Sequence, residues 1–138
     1  MSRRLAMQAL YQWQLTQQPA KQICRQFEDD MDYPKADPEY FCLLVNQVIE
    51  RHEELDDSLA PYVTRGVETL DPVGRAILHV ATYELAHEPS VPFRVVINEA
   101  ISLAKKFGAE DAYKMVNGVL DKLIPRFRAL EKSAKRSR

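Results

Sequence analysis

The sequence predicts an all-α domain of about six or seven helices, and three observations carry that prediction. Apolar residues recur at three- and four-residue spacing along most of the chain, as in Val96, Ala100, Leu103 and Phe107. Two Asp-Pro pairs, Asp37-Pro38 and Asp71-Pro72, stand directly ahead of such stretches. In each, a capping carboxylate precedes the residue best suited to the first helical position. No stretch alternates apolar and polar residues long enough to make a half-buried strand.

Each element has its own signal. Ser2 reads as an N-cap, and Ala6, Leu10 and Trp13, widened by Leu5 and Ala9, form the apolar face of a first helix that ends before Pro19. Trp13 reads as a core residue. Ile23, Cys24 and Phe27 mark a second, short helix over about residues 20–31, and residues 32–35, with Pro34, read as a loop. After Asp37-Pro38, apolar positions from Phe41 through Val48, Leu55 and Leu59 keep helical phase to Pro61, with a break expected near Arg51. After Asp71-Pro72 come Val73, Ile77, Val80, Ala81, Glu84 and Leu85, and Pro89 and Pro92 bracket the next loop. Pro92 then opens a helix whose stripe includes Ile97, Ile101 and Ala104 and which stops at Gly108. Ala112, Val116, Val119, Leu120 and Leu123 mark a last helix with Gly118 inside it. Glycine there costs about 1 kcal/mol against alanine, so the expectation is that Gly118 admits a closely packed neighbour.

At 138 residues the chain fits one domain, residues 1–138. Proline-rich connections divide it into an N-terminal helical group, 3–61, a C-terminal group, 70–124, and a basic tail, 126–138. Only two cysteines are present, Cys24 and Cys42, with no ligand spacing to His52, His79 or His87, so no metal or cofactor is expected. No apolar run is long enough to cross a membrane, and a reduced cytoplasm is the compartment expected. A nucleophile with a paired base and a phosphate-cradling glycine loop are both missing, which argues against an enzyme. Asn98 and Asn117 read as helix-to-helix hydrogen-bonding residues.

The net charge of −1 conceals segregation. Arg3 and Arg4 begin the chain, and six basic residues against Glu131 end it, so residues 5–125 carry a net −8. Lys132, Lys135, Arg136 and Arg138 read as a solvated tail. The acidic runs Glu28-Asp29-Asp30 and Glu53-Glu54 with Asp56-Asp57 repel phosphate and suit solvent or a basic protein partner. Arg3 and Arg4 occupy the positive end of a helix dipole, where they do not help the helix. Their forked donors, with the free N–H groups of the helix start, are suited to RNA phosphates.

The strings VPFRVVINEAISLAKKFG and DAYKMVNGVLDKL, with AMQALYQWQLTQ and RAILHVATYEL upstream in matching order, together resemble the NusB family of bacterial transcription antitermination factors. The resemblance covers almost the whole chain. It implies two small helical bundles packed side by side and a non-enzymatic protein that binds the boxA element of nascent rRNA with NusE, a ribosomal small-subunit protein. That complex, with other Nus factors, helps RNA polymerase pass terminators. A homodimer that hides the RNA surface is compatible with the family. The alternative is a free-standing NusB-like RNA-binding module that assists rRNA processing or methylation, since such domains also occur fused to an rRNA methyltransferase.

Carried over residue by residue, the resemblance makes Arg3, Arg4, Gln8, Tyr11, Asp111, Lys114 and Met115 the RNA-binding candidates. Amide, phenol and carboxylate groups beside basic ones suit single-stranded RNA. Each also has an ordinary role: Tyr11 can cover the core edge, Asp111 can cap a helix and Lys114 can be solvated. The partner surface it implies spans residues 68–79 and Tyr83, with Glu68, Gly74, Arg75, His79 and Tyr83 as its members and Tyr11 at its border. Family members often carry more basic residues ahead of Arg3 than Met1 and Ser2, which implies fewer phosphate contacts or a sequence that begins late. Met115 stands where an aromatic is common, and Gly74 where a glutamate is common.

Overall fold

In the computed structural model, which describes residues 1–136, seven helices account for most of the chain and no strand occurs among the described residues. They are α1 (Ser2–Thr16), α2 (Ala20–Phe27), α3 (Pro38–Glu50), α4 (His52–Leu59), α5 (Pro72–His87), α6 (Phe93–Phe107) and α7 (Ala112–Arg136). Short 3-10 turns lie at Tyr33–Lys35, Ala60–Tyr62 and Val67–Thr69. Both Asp-Pro pairs start helices as expected. Asp37 accepts a hydrogen bond from the Tyr40 N–H, and Asp71 accepts from the N–H groups of Val73 and Gly74. The break at Arg51 separates α3 from α4, where the backbone leaves the helical region at φ −104°, ψ 14°.

α5 is the centre of the molecule. It packs against α1, α3 and α4 on the N-terminal side and against α6 and α7 on the other. Every residue from Ala76 to Leu85 is buried, which is why that stretch is apolar nearly all round instead of on one stripe. Trp13 lies in the core as expected, its ring 5.0 Å from that of His52. Phe41, wholly buried, gathers Phe27 and Tyr33 around it at 5.6 and 6.1 Å.

Several expectations are corrected. Ser2 lies inside α1, and its hydroxyl bridges to the backbone of Asp37 instead of capping. α2 ends at Phe27, earlier than the apolar spacing suggested, and residues 33–35 form a 3-10 turn. Phe107 is 40 % exposed, so the buried stripe of α6 is Val96, Ala100, Leu103 and Ala104. Asn98 is exposed, and neither Asn98 nor Asn117 makes a side-chain hydrogen bond among the described residues. Gly108 does meet a close neighbour: a Cβ there would stand 2.7 Å from the Ala104 carbonyl oxygen.

Gly118 does not. A Cβ at this position would meet nothing within 4 Å, so no packed helix accounts for the glycine. Gly118→Ala is therefore expected to raise stability by about 1 kcal/mol, read as a higher urea midpoint at unchanged slope.

The basic end that begins at Arg126 is continuous with the last helix. α7 continues to Arg136, with Pro125 inside it and a departure from helical geometry at Arg128 (φ −131°, ψ 34°). Arg128 is only 5 % exposed. The helix runs through Lys132, Lys135 and Arg136, while Arg138 lies outside the described residues.

Candidate nucleic-acid interface

The site candidates come from α1, α5 and the turn joining α6 to α7. Helical spacing puts Gln8 and Tyr11 on one side of α1. There they line an open trough of about 210 Å³ with Met7, with Val73 of α5 and with Phe107 at the end of α6. Tyr11 and Phe107 are 39 % and 40 % exposed, so two aromatic side chains stand half out of the surface at one trough. Phe107 was missed in the sequence because its helical register matched the core stripe. Its place at the last turn, beyond the cover of neighbouring helices, is what frees it.

The turn past Phe107 carries Asp111, and the first turn of α7 carries Lys114. Asp111 adopts φ +68°, a left-handed conformation that aspartate tolerates better than most side chains. Its carboxylate lies 3.4 Å from the Lys114 amino group, with both side chains about two-thirds exposed. A pair so exposed opens readily to an incoming ligand. Lys105 and Lys114 place their amino groups 5.0 and 6.0 Å from the Tyr113 ring centre, so that ring faces ammonium groups. Met115 turns the other way. Its Cε lies 3.6 Å from where a Gly74 Cβ would be, so the two departures from the family pattern touch each other.

Arg3 and Arg4 each have a carboxylate partner within the fold. The Arg3 Nε donates to the buried Glu84 carboxylate at 2.8 Å, and Arg4 pairs with Asp32 and reaches Gln8. The two terminal nitrogens of Arg3 make no hydrogen bond among the described residues, and these carboxylates explain why two arginines sit at an unfavourable helix end. The partner candidates divide likewise. Glu68 is exposed, but Gly74, His79 and Tyr83 are buried: Met115 of α7 lies over Gly74, and α4 packs on α5 with Asp56 bonded to His79. Tyr83 donates to Glu88 at 2.8 Å, which together with burial pushes its phenol up to about 12.

Beneath α4, Asp56 accepts from the His79 Nε2–H at 2.6 Å and from Arg75 at 2.8 Å. The acidic run on α4 is therefore partly internal. Burial alone would raise the Asp56 carboxyl, but hydrogen bonds and charge from His79 and Arg75 outweigh it and hold the group below the usual carboxylate range. A depressed carboxyl contributes stability above its unfolded pKa, about 4, and loses it as pH falls through the folded value. Asp56→Asn is expected to cost about 2 kcal/mol at neutral pH. Its deficit against the wild type should shrink as pH falls below about 4, as followed by denaturant titration across pH. A deficit constant with pH would refute this account.

Among the described residues no three His, Cys, Asp or Glu side chains group to hold a metal, and no helix is long and apolar enough to cross a membrane. What the fold assembles is a binding protein, with aromatic, amide, carboxylate and amino groups on open surface. The NusB family model matches residues 1–125. The transcription antitermination protein NusB of Burkholderia cenocepacia is 47 % identical over 136 residues, spanning 99 % of this chain and 94 % of that protein. That of Alcanivorax borkumensis is 49 % identical over 137 residues, spanning 99 % and 91 %. The crystal form of T. maritima NusB is similar with a TM-score of 0.77 and 30 % identity, over 88 % of this chain and 87 % of that one. A structure of the antitermination factors NusB and NusE in complex with dsRNA gives a TM-score of 0.78 and 25 % identity, over 91 % and 95 %. The chain belongs to the NusB family, a family of transcription antitermination factors and not of enzymes.

Proposed function

We propose that this chain is an RNA-binding antitermination factor of the cytoplasm that captures the boxA element of nascent rRNA together with NusE, within the RNA polymerase antitermination complex. The observation that carries the reading is the trough on which Tyr11 and Phe107 stand half exposed beside Gln8, with Asp111 on the turn that follows Phe107 and Lys114 at the start of α7. Ring faces take unstacked bases, amide and carboxylate groups read base edges, and Lys114 takes phosphate. Met115, turned toward Gly74, serves as an apolar border to this face, and the exposed Glu68 is the partner candidate that suits a basic protein. Arg3 and Arg4 fix α1 through Glu84 and Asp32, and the terminal nitrogens that Arg3 keeps unbonded are donors for RNA phosphate.

The test is fluorescence anisotropy of labelled boxA RNA and a scrambled control, with the protein alone and with equimolar NusE. Tyr11→Ala and Phe107→Ala are each expected to weaken boxA binding about tenfold, the size of one lost stacking contact. Asp111→Ala should reduce discrimination between the two RNAs. Equal losses for boxA and scrambled RNA in all three variants would remove the readout role, and equal weak binding with no effect of NusE would remove the function.

A further inference from the structure

A second cationic surface lies beyond this site, on the other side of Met115. The connection between α4 and α5 and the outer side of α7 enclose two open hollows of about 220 and 360 Å³, and both are lined by Tyr62, Val63 and Thr64. Met115 and Val119 form part of the floor with Leu70, and Arg65 and Lys122 stand on the rim. No carboxylate lines either hollow. Arg65 and Lys122, like Arg25, Arg94 and Arg126, have no ion-pair partner among the described residues, whereas Arg3, Arg4, Arg51, Arg75 and Arg128 are paired; what sets Arg65 and Lys122 apart is that they border neighbouring hollows. In a body with a net −8 over residues 5–125, an acid-free trough between two unpaired cations stands out.

Gly118 belongs to the same surface. Lys114, Gly118 and Lys122 follow one another at four-residue intervals along one side of α7. The two amino groups are thus rooted about 12 Å apart along the helix, with bare backbone between them. The open space over Gly118 is a gap that a polyanionic strand can cross without meeting a side chain.

We propose that this trough is a second RNA site, which takes the sugar-phosphate backbone of single-stranded RNA flanking the element bound at Tyr11 and Phe107. Arg65 and Lys122 hold phosphates, Tyr62 offers a ring beside them, and the strip over Gly118 connects the trough to Lys114. The inference rests on the RNA-binding reading above. RNA is favoured over an acidic peptide because the trough shares Met115 with the face proposed for RNA and continues it along α7 from Lys114.

The experiment compares a boxA core oligonucleotide with the same core carrying a short oligouridine extension at either end. Each is titrated at several salt concentrations with the wild-type chain, with Arg65→Gln/Lys122→Gln and with Gly118→Glu. Wild type should bind one extended RNA about tenfold more tightly than the core, with a salt slope steeper by about 1.4 for two phosphate contacts on a single strand. Both variants should lose that gain and keep the core affinity, and circular dichroism should show both folded. If the core binds but neither extension adds anything, or if the variants lose core and extended binding alike, the second site is wrong and the first reading stands. If no RNA binds, the first reading fails and takes this one with it. A polyglutamate peptide is titrated in parallel; an extension gain that survives in the variants while wild-type peptide binding is lost would assign the trough to an acidic protein and overturn the proposal.

Discussion

Arg128→Met is expected to destabilise the folded chain by about 3–5 kcal/mol, the range for removing one partner of a buried charged network. The Arg128 Nε donates to the Leu85 carbonyl at 2.9 Å. One terminal nitrogen donates to the Val91 carbonyl at 2.8 Å and to Glu131 at 2.7 Å, and the other to the carbonyls of Glu84 and Glu88, both at 3.0 Å. The guanidinium thus gathers four carbonyls at the end of α5 and in the following loop; those of Glu84 and Glu88 also accept from the N–H groups of Glu88 and Val91, whereas those of Leu85 and Val91 have no backbone donor among the described residues. It also places a positive charge at the negative end of the α5 dipole. Methionine cannot donate, so it leaves the Leu85 and Val91 carbonyls and Glu131 without this partner. The melting temperature should fall by about 10 °C or more. Arg128→Lys should recover only part of the loss, because an ammonium cannot reproduce five donors in a fixed fork. A loss below about 1 kcal/mol in urea titration would mean that water replaces the guanidinium at little cost.

Glu84→Ala is the second large effect, expected at about 3 kcal/mol. The Glu84 carboxylate is 1 % exposed in the last turn of α5, where it accepts from Arg3 of α1 and from the Tyr40 hydroxyl of α3. Removing it leaves the phenol and the guanidinium without their acceptor at a three-helix junction. Arg3 is about one-fifth exposed and can turn partly to water, which keeps the estimate below the top of the range. Glu84→Gln should fall between the two, since it keeps an acceptor without the charge. Burial and the bond to Glu84 raise the Tyr40 phenol well above its ordinary value. A raised group contributes stability that is whole below the unfolded pKa, about 10, and is lost as pH rises through the folded one. Glu84→Ala should therefore also flatten the alkaline limb of the stability profile. An unchanged limb would show that burial alone raises the phenol.

The helices were legible because their signals are local. Asp37-Pro38 and Asp71-Pro72 act within one turn of backbone, and the break at Arg51 and the stop at Gly108 sit where the apolar phase and chain chemistry put them. The candidate site was legible only in part. Gln8 and Tyr11 share a side of one helix, so their common trough follows from spacing. Phe107 is in phase with buried neighbours, and nothing within its own helix distinguishes a covered turn from an uncovered one. His79 and Tyr83 present the reverse problem: their polar atoms suggest a surface, and they are buried because α4 lies over them.

By itself, then, the sequence determined the fold class, the order and starts of the helices and the family, since capping, periodicity and residue strings are properties of neighbouring positions. Which charges are available was decided only by tertiary structure. Arg3 reaches across 81 positions to Glu84, Arg4 across 28 to Asp32, and Arg128 back across more than 40 to the end of α5. Arg65 and Lys122 meet no such partner. An arginine in a sequence carries the same charge wherever it falls; whether that charge is neutralised inside the protein or offered to RNA depends on which distant carboxylate or carbonyl the packing brings within about 3 Å.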